Sequence, residues 1–118
     1  RRGDTHYGEP HPDYMGFEML DERKFKLNQA LWDGRRDEIV ELTPTESRLL
    51  MYLASQRGRI VPHKELLINV WGPEYAKEMG YLSVYIRYLR QKIEDDPSKP
   101  HYIRTRWKVG YYFVSDES

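Results

Sequence analysis

The apolar positions change period along this chain, and each change marks a change of element. From Phe17 to Leu42 they alternate with polar ones: Phe17 and Met19, Phe25 and Leu27 among Lys24, Lys26 and Asn28, then Leu31, then Ile39 beside Glu38 and Glu41. A period of two is that of a half-buried strand, and Asp33-Gly34 has hairpin-turn composition. The spacing predicts a small antiparallel sheet of three or four short strands. At Thr43 the period becomes helical. Thr43-Pro44-Thr45-Glu46 is a capping box, with Thr43 as N-cap, proline at the first helical position and Glu46 reaching back. The helix it opens carries Leu49, Leu50, Leu53 and Ala54 on one face and stops at Gly58. A second helix is expected from about His63, with Leu66, Leu67, Val70 and Trp71 inward, ending at Trp71-Gly72-Pro73. Residues 73–80 read as a loop. A third helix is expected from near Tyr81 to Glu94-Asp95-Asp96-Pro97, where proline forces its end. Tyr102 to Thr105 and Tyr111 to Val114 then read as two strands around a turn holding Gly110. The expected class is α+β: a winged helix-turn-helix with an N-terminal antiparallel sheet, three helices and a C-terminal β-hairpin wing.

The third helix carries the chemistry. At about 100° per residue, Leu82, Ile86, Leu89 and Ile93 fall on one stripe, the core face. The opposite side holds Val84, Arg87, Tyr88 and Gln91, flanked by Ser83 and Arg90 on one edge and by Tyr81 and Lys92 on the other, with Tyr85 nearby. Arginine forms a bidentate pair with guanine, glutamine with adenine, and a valine methyl packs on the thymine methyl. Arg90, Lys92 and the tyrosine hydroxyls have the reach for phosphates at the groove edge. A second basic cluster, Arg104, Thr105, Arg106, Trp107 and Lys108, falls where the terminal hairpin turns, and wings of this kind enter the minor groove or track the backbone. Trp107 reads equally well as an anchor buried under the hairpin or as a DNA-facing side chain.

Composition changes this picture little, but charge distribution sharpens it. The 118 residues carry 19 Lys and Arg against 19 Asp and Glu, so the chain as a whole shows no basic surplus. Residues 1–48 hold eight bases and eleven acids, whereas residues 99–112 hold Lys99, Arg104, Arg106 and Lys108 with no acid. A local basic patch sits inside a neutral chain. With 39% hydrophobic residues the chain has material for a core, and at this length it is one domain. No apolar run approaches the ~20 residues that spanning a bilayer requires, so a cytoplasmic protein without membrane contact is expected. The absence of cysteine excludes disulfides, thiolate metal sites and thiol nucleophiles. There is no glycine-rich phosphate loop or HExxH, and His63 and His101 lack acidic partners at catalytic spacing, so no enzyme and no cofactor are expected. His6, Glu9, His11 and Asp13 contain metal-ligating types, but Gly8, Pro10 and Pro12 among them make residues 1–16 read as a linker.

The motifs Leu42-Thr43-Pro44-Thr45-Glu46, Leu49-Leu50, Leu66-Leu67 to Val70-Trp71-Gly72, Ile86-Arg87, Leu89-Arg90-Gln91-Lys92-Ile93-Glu94 and Gly110-Tyr111 to Phe113, in this order, resemble the OmpR/PhoB family of winged-helix effector domains. The end of the third helix with Asp96-Pro97 and Pro100 looks most like the KdpE-type branch. The resemblance implies that residues 17–118 form the DNA-binding effector domain of a two-component response regulator, and residues 1–16 an interdomain linker. It further implies a phosphorylated receiver domain, on a separate stretch of ~120 residues preceding this chain, and a cognate sensor kinase. Promoter DNA would be bound as tandem half-sites. Its third helix would enter the major groove, and Arg104 to Lys108 with Tyr112 would contact the minor groove or backbone. The loop of Gly72, Pro73, Glu74, Tyr75, Ala76, Lys77, Glu78 and Met79 would touch RNA polymerase.

Four positions depart from the family pattern. Ser47 stands where Phe is usual, Pro62 replaces the Ser or Thr N-cap of the second helix, Lys108 stands for Gly at the wing and Tyr112 for Arg. Pro62 is expected to shift that helix's start. A non-glycine residue in a left-handed wing turn costs about 1–2 kcal/mol, and loss of the arginine passes the wing contact to Arg106 or Lys108. The competing reading is a winged-helix module turned to a protein partner, which zero net charge and Tyr75, Tyr81, Tyr85 and Tyr88 would suit.

Overall fold

The structure is a computed structural model that describes residues 17–21, 24–27, 30–33 and 38–115. The expected linker and the glycine of the Asp33-Gly34 turn lie outside them. An antiparallel sheet comes first, in the order β1 (Phe17–Asp21), β2 (Lys24–Leu27), β3 (Ala30–Asp33) and β4 (Glu38–Glu41). In the β3–β4 register Leu31 faces Val40 and Trp32 faces Ile39. Leu31 is fully buried and Val40 packs on the core, whereas Ile39 is 66% exposed. The inward face of β4 is thus set by Val40, one residue from the Ile39 that the alternation singles out, because a one-residue step reverses the face of a strand.

Three helices follow: α1 (Pro44–Ser55), α2 (His63–Val70) and α3 (Met79–Ile93). The capping box forms as expected. The Glu46 amide donates to Thr43 Oγ1 at 3.2 Å and the Thr43 amide to Glu46 Oε1 at 2.9 Å. Helix α2 begins at His63 despite Pro62. With φ −61° and ψ 152°, Pro62 occupies the N-cap position, so the start is unshifted, but no side chain caps it. Between α2 and α3 the chain makes a short 3-10 turn at Pro73–Tyr75, and α3 opens at Met79, two residues before the expected Tyr81. Met79 therefore belongs to the helix and not to the loop.

Leu49, Leu50 and Leu53 of α1, Leu66 and Leu67 of α2, and Leu82, Ile86, Leu89 and Ile93 of α3 are all 0–1% exposed, with Ile103 and Phe113 from the last hairpin closing the core. Burying each such side chain contributes roughly 1.5–3 kcal/mol, which fixes how the helices sit on one another. Ser47, the departure from the usual Phe, is itself buried.

The hairpin consists of β6 (Ile103–Arg106) and β7 (Gly110–Phe113), and β7 also pairs with the two-residue strand β5 (Val61–Pro62) in the order β5-β7-β6. Gly110 lies in β7 and not in the turn, where it pairs with both Arg106 and Pro62. The turn is Trp107 to Val109, closed by the Val109 amide donating to the Arg106 carbonyl at 2.9 Å.

Glu94, just past the end of α3, is 3% exposed. Its carboxylate accepts from the amides of His101 (2.7 Å), Tyr102 (3.0 and 3.1 Å) and Ile103 (2.9 Å). A buried carboxylate needs such donors, and without them burial is costly. A glutamine at this position turns an NH2 donor toward the amides. Glu94→Gln should therefore destabilise the domain by about 1–3 kcal/mol, read as a lower urea midpoint with an unchanged slope.

Candidate nucleic-acid interface

With the stripe Leu82, Ile86, Leu89 and Ile93 buried, the opposite face of α3 is outward by geometry. Ser83, Arg87 and Gln91 are exposed, Tyr81 and Tyr88 are 47% and 40% exposed, and Val84 is half-buried. The Arg87 guanidinium carbon stands 5.9 Å from the Tyr88 ring centroid. Tyr85 is half-buried, edge-on to both Trp71 (5.5 Å) and Tyr88 (5.6 Å). It supports its exposed neighbour more than it faces outward.

Two cations expected on this face have partners inside the domain. Lys92 Nζ lies 2.6 Å from Glu46 Oε1, the atom that also caps α1. It ties α3 to α1 and leaves the outward set. Arg90 is half-buried: its Nε and Nη2 donate to the Ile103 carbonyl at 3.1 and 2.9 Å, and Nη2 to Thr105 Oγ1 at 2.7 Å. Burial pushes its guanidinium below the ordinary arginine value, offset by the nearby Tyr111 and Glu94. Burial likewise holds the Tyr111 phenol above its usual range. Arg90 in the last turn of α3 and Glu94 just past its end thus grip the carbonyl and the amide of Ile103.

The wing projects beside α3. Trp107 is 77% exposed, which decides against its reading as a buried anchor, and Lys108 Nζ lies 4.7 Å from its ring centroid. Lys108 has φ +68°, the left-handed conformation that glycine adopts at no steric cost. The expectation of a strained turn holds. Arg106, Lys108 and Thr105 are exposed, while Arg104 is half-buried and donates to the His101 carbonyl at 3.1 Å. Tyr112 is half-buried opposite Arg104 in the hairpin register.

In the α2–α3 connection, Glu74, Lys77 and Glu78 are exposed, with Gly72 at φ +132°. Pro73 is exposed as well, and Ala76 is half-buried. Tyr75 packs on Tyr81 at 5.6 Å, and Tyr81 stacks on Trp71 at 6.4 Å. An aromatic ladder thus joins this connection to α3.

The family described as "Transcriptional regulatory protein, C terminal" matches residues 35–113. The chain belongs to this family. Among its relatives, the transcriptional regulatory protein KdpE of Mycobacterium tuberculosis is 53% identical over 74 residues, 63% of this chain and 33% of that protein. The KDP operon transcriptional regulatory protein KdpE of Escherichia coli is 41% identical over 80 residues, 68% of this chain and 36% of that protein. The chain thus spans about a third of the length of these relatives. The C-terminal DNA-binding domain of RstA from Klebsiella pneumoniae superposes with a TM-score of 0.65 at 28% identity, covering 94% of this chain and 96% of that one. In another structure of that domain, in complex with the RstA box, the TM-score is again 0.65, with 86% and 94% covered. This is an OmpR/PhoB-type effector domain, KdpE-like in sequence, and the family is one of transcription regulators and not of enzymes. No helix among the described residues is long and apolar enough to cross a membrane.

Sequence reasoning missed Glu94 and the inward engagement of Arg90 and Lys92. The spacing Arg90-x-x-x-Glu94 was visible, but nothing in it names Ile103 as the shared partner. Arg90→Ala should lower unfolding stability by about 1–3 kcal/mol, while Arg87→Ala, with its side chain outward, stays within about 0.5 kcal/mol. Equal losses in thermal melts would remove the distinction.

Proposed function

We propose that this domain reads duplex DNA by setting α3 in the major groove and the wing on the adjacent minor groove or backbone. One observation carries the reading: Arg87, Tyr88 and Gln91 are exposed on α3, the wing tip Arg106-Trp107-Lys108 is exposed and basic, and the two elements are fastened by Arg90 and Glu94. A reader of DNA needs these two surfaces at a fixed separation. Arg87 and Gln91 are the base readers, with Val84 for a thymine methyl. Ser83, Tyr81 and Tyr88 reach phosphates at the groove edge, and Arg106 and Lys108 take the place of the arginine replaced by Tyr112.

The fuller role rests on the relatives, which are about three times as long as the segment they share with this chain. In it the domain is the effector part of a cytoplasmic two-component response regulator, paired on tandem promoter half-sites by a receiver domain that a sensor kinase phosphorylates. The exposed Glu74, Lys77 and Glu78, fixed by the aromatic ladder, suit a contact with RNA polymerase.

An anisotropy titration against mixed-sequence duplex at low salt tests the reading first, and a protein-interaction module would show no binding. At the specific site Arg87→Ala should cost about 1–3 kcal/mol and relax preference at one base pair; equal losses on specific and nonspecific DNA would remove it as a base reader. For the wing, each phosphate neutralised contributes about −0.9 to the slope of log K against log salt. The double change Arg106→Ala with Lys108→Ala should therefore flatten that slope by up to about two units with sequence preference kept. An unaltered slope would place the wing clear of the DNA.

A further inference from the structure

An open cavity of about 290 Å³ lies where α2, α3 and the wing meet, lined by His63 of α2, by Met79, Gly80, Leu82 and Ser83 of α3, and by Tyr111 of β7. The His63 amide donates to the Val109 carbonyl at 3.2 Å, so α2 starts directly against the end of the wing turn. Its imidazole stands edge-on to Tyr111 at 5.6 Å. Across the cavity Ser83 Oγ makes only a long 3.3 Å bond to the Gly80 carbonyl, and a Cβ placed on Gly80 would meet nothing within 4 Å. The walls are apolar and the polar atoms few and convergent.

The placement matters because of what separates a major from a minor groove. If α3 lies in one and the wing in the next, the sugar–phosphate strand between the grooves must cross the gap between α3 and the wing, and this cavity is in that gap. We propose that it seats one phosphodiester of the bound duplex, with His63 in its protonated form and Ser83 as the phosphate's partners and the apolar walls against the deoxyribose. This rests on the groove placement proposed above. It adds a contact from α2, which none of the expected site residues supplies. The amino end of α2, with no capping side chain, adds its partial positive charge on the same side.

The groups around His63 leave its imidazole to a phosphate. From α3 it faces Ser83, which does not titrate in this range. From the wing it faces Tyr111, whose phenol burial keeps protonated, with Arg90 beyond it at 5.7 Å from the ring centroid and Lys108 next to Val109. On its own helix Lys64 is exposed, and Glu65 is held by Arg59 and Tyr52. No carboxylate in this set competes with the phosphate for the imidazolium. Histidine changes charge between about pH 5 and 8, so seating a phosphate beside it makes binding take up a proton. Affinity should then fall as pH rises.

The test is the salt dependence of binding of this chain to a mixed-sequence duplex at about pH 6 and about pH 8, which bracket the histidine range. The wild-type slope should be steeper at the lower pH by up to about 0.9 unit, one phosphate's worth. His63→Gln should lose that difference and match the shallower slope at both values. His63→Arg should be steep at both, since its charge does not titrate, and this gain guards against a merely misfolded glutamine variant. His101→Gln, a change at an exposed ring outside the cavity, should keep the wild-type behaviour. A wild-type slope indifferent to pH, or a pH effect that survives in His63→Gln, overturns the phosphate seat while leaving the groove placement standing. Failure to bind any duplex at either pH overturns the groove placement itself.

Discussion

One residue joins the two halves of the candidate surface. Ile103 presents its carbonyl to Arg90 and its amide to Glu94, so the last turns of α3 hold the first residue of β6 from both sides. Each bond has one charged partner, the guanidinium of Arg90 or the carboxylate of Glu94, and such charge-assisted bonds are the stronger kind. Everything outward of this point inherits its geometry. The wing tip lies four to five residues along the chain from Ile103, so this joint and the β5-β7-β6 ladder together set its position relative to Arg87 and Gln91. The same joint explains why a chain of neutral net charge can present basic surfaces. Glu94 and Glu46, two acids packed against α3, are buried against backbone amides and Lys92, while Arg87, Arg106 and Lys108 remain exposed.

Much of the fold was legible in the sequence. The capping box at Thr43, the leucine faces of α1 and α2 and the 82-86-89-93 stripe all depend on local periodicity, and each holds. The failures share a cause: they depend on a partner distant in sequence. Whether Ile39 or Val40 faces the core depends on strand register. Lys92 looks like an outward cation until α1 brings Glu46 within 2.6 Å. Gly110 has turn composition, yet its role comes from pairing with β5. A lone acid at the end of a helix ordinarily signals solvent, and only the folded hairpin supplies Glu94 with its amides.

The wing turn shows the same division. Lys108 was legible as a departure from glycine, and its left-handed φ follows from the turn it must close. That a lysine is kept in a conformation costing on the order of 1–2 kcal/mol fits a position where side-chain charge is useful, with the ammonium lying over Trp107.

Gly110 sets a limit of another kind. A methyl group there would sit 1.9 Å from the Val61 carbonyl oxygen, inside the backbone of β5 rather than against a movable side chain. The clearance is therefore zero for every side chain, alanine included. A randomised library of this hairpin can vary residues 106–108 to retune contacts, but position 110 admits one residue in twenty. Any viable replacement must be accompanied by displacement of β5, and with it the start of α2. The hairpin can change what it touches far more easily than where it is anchored.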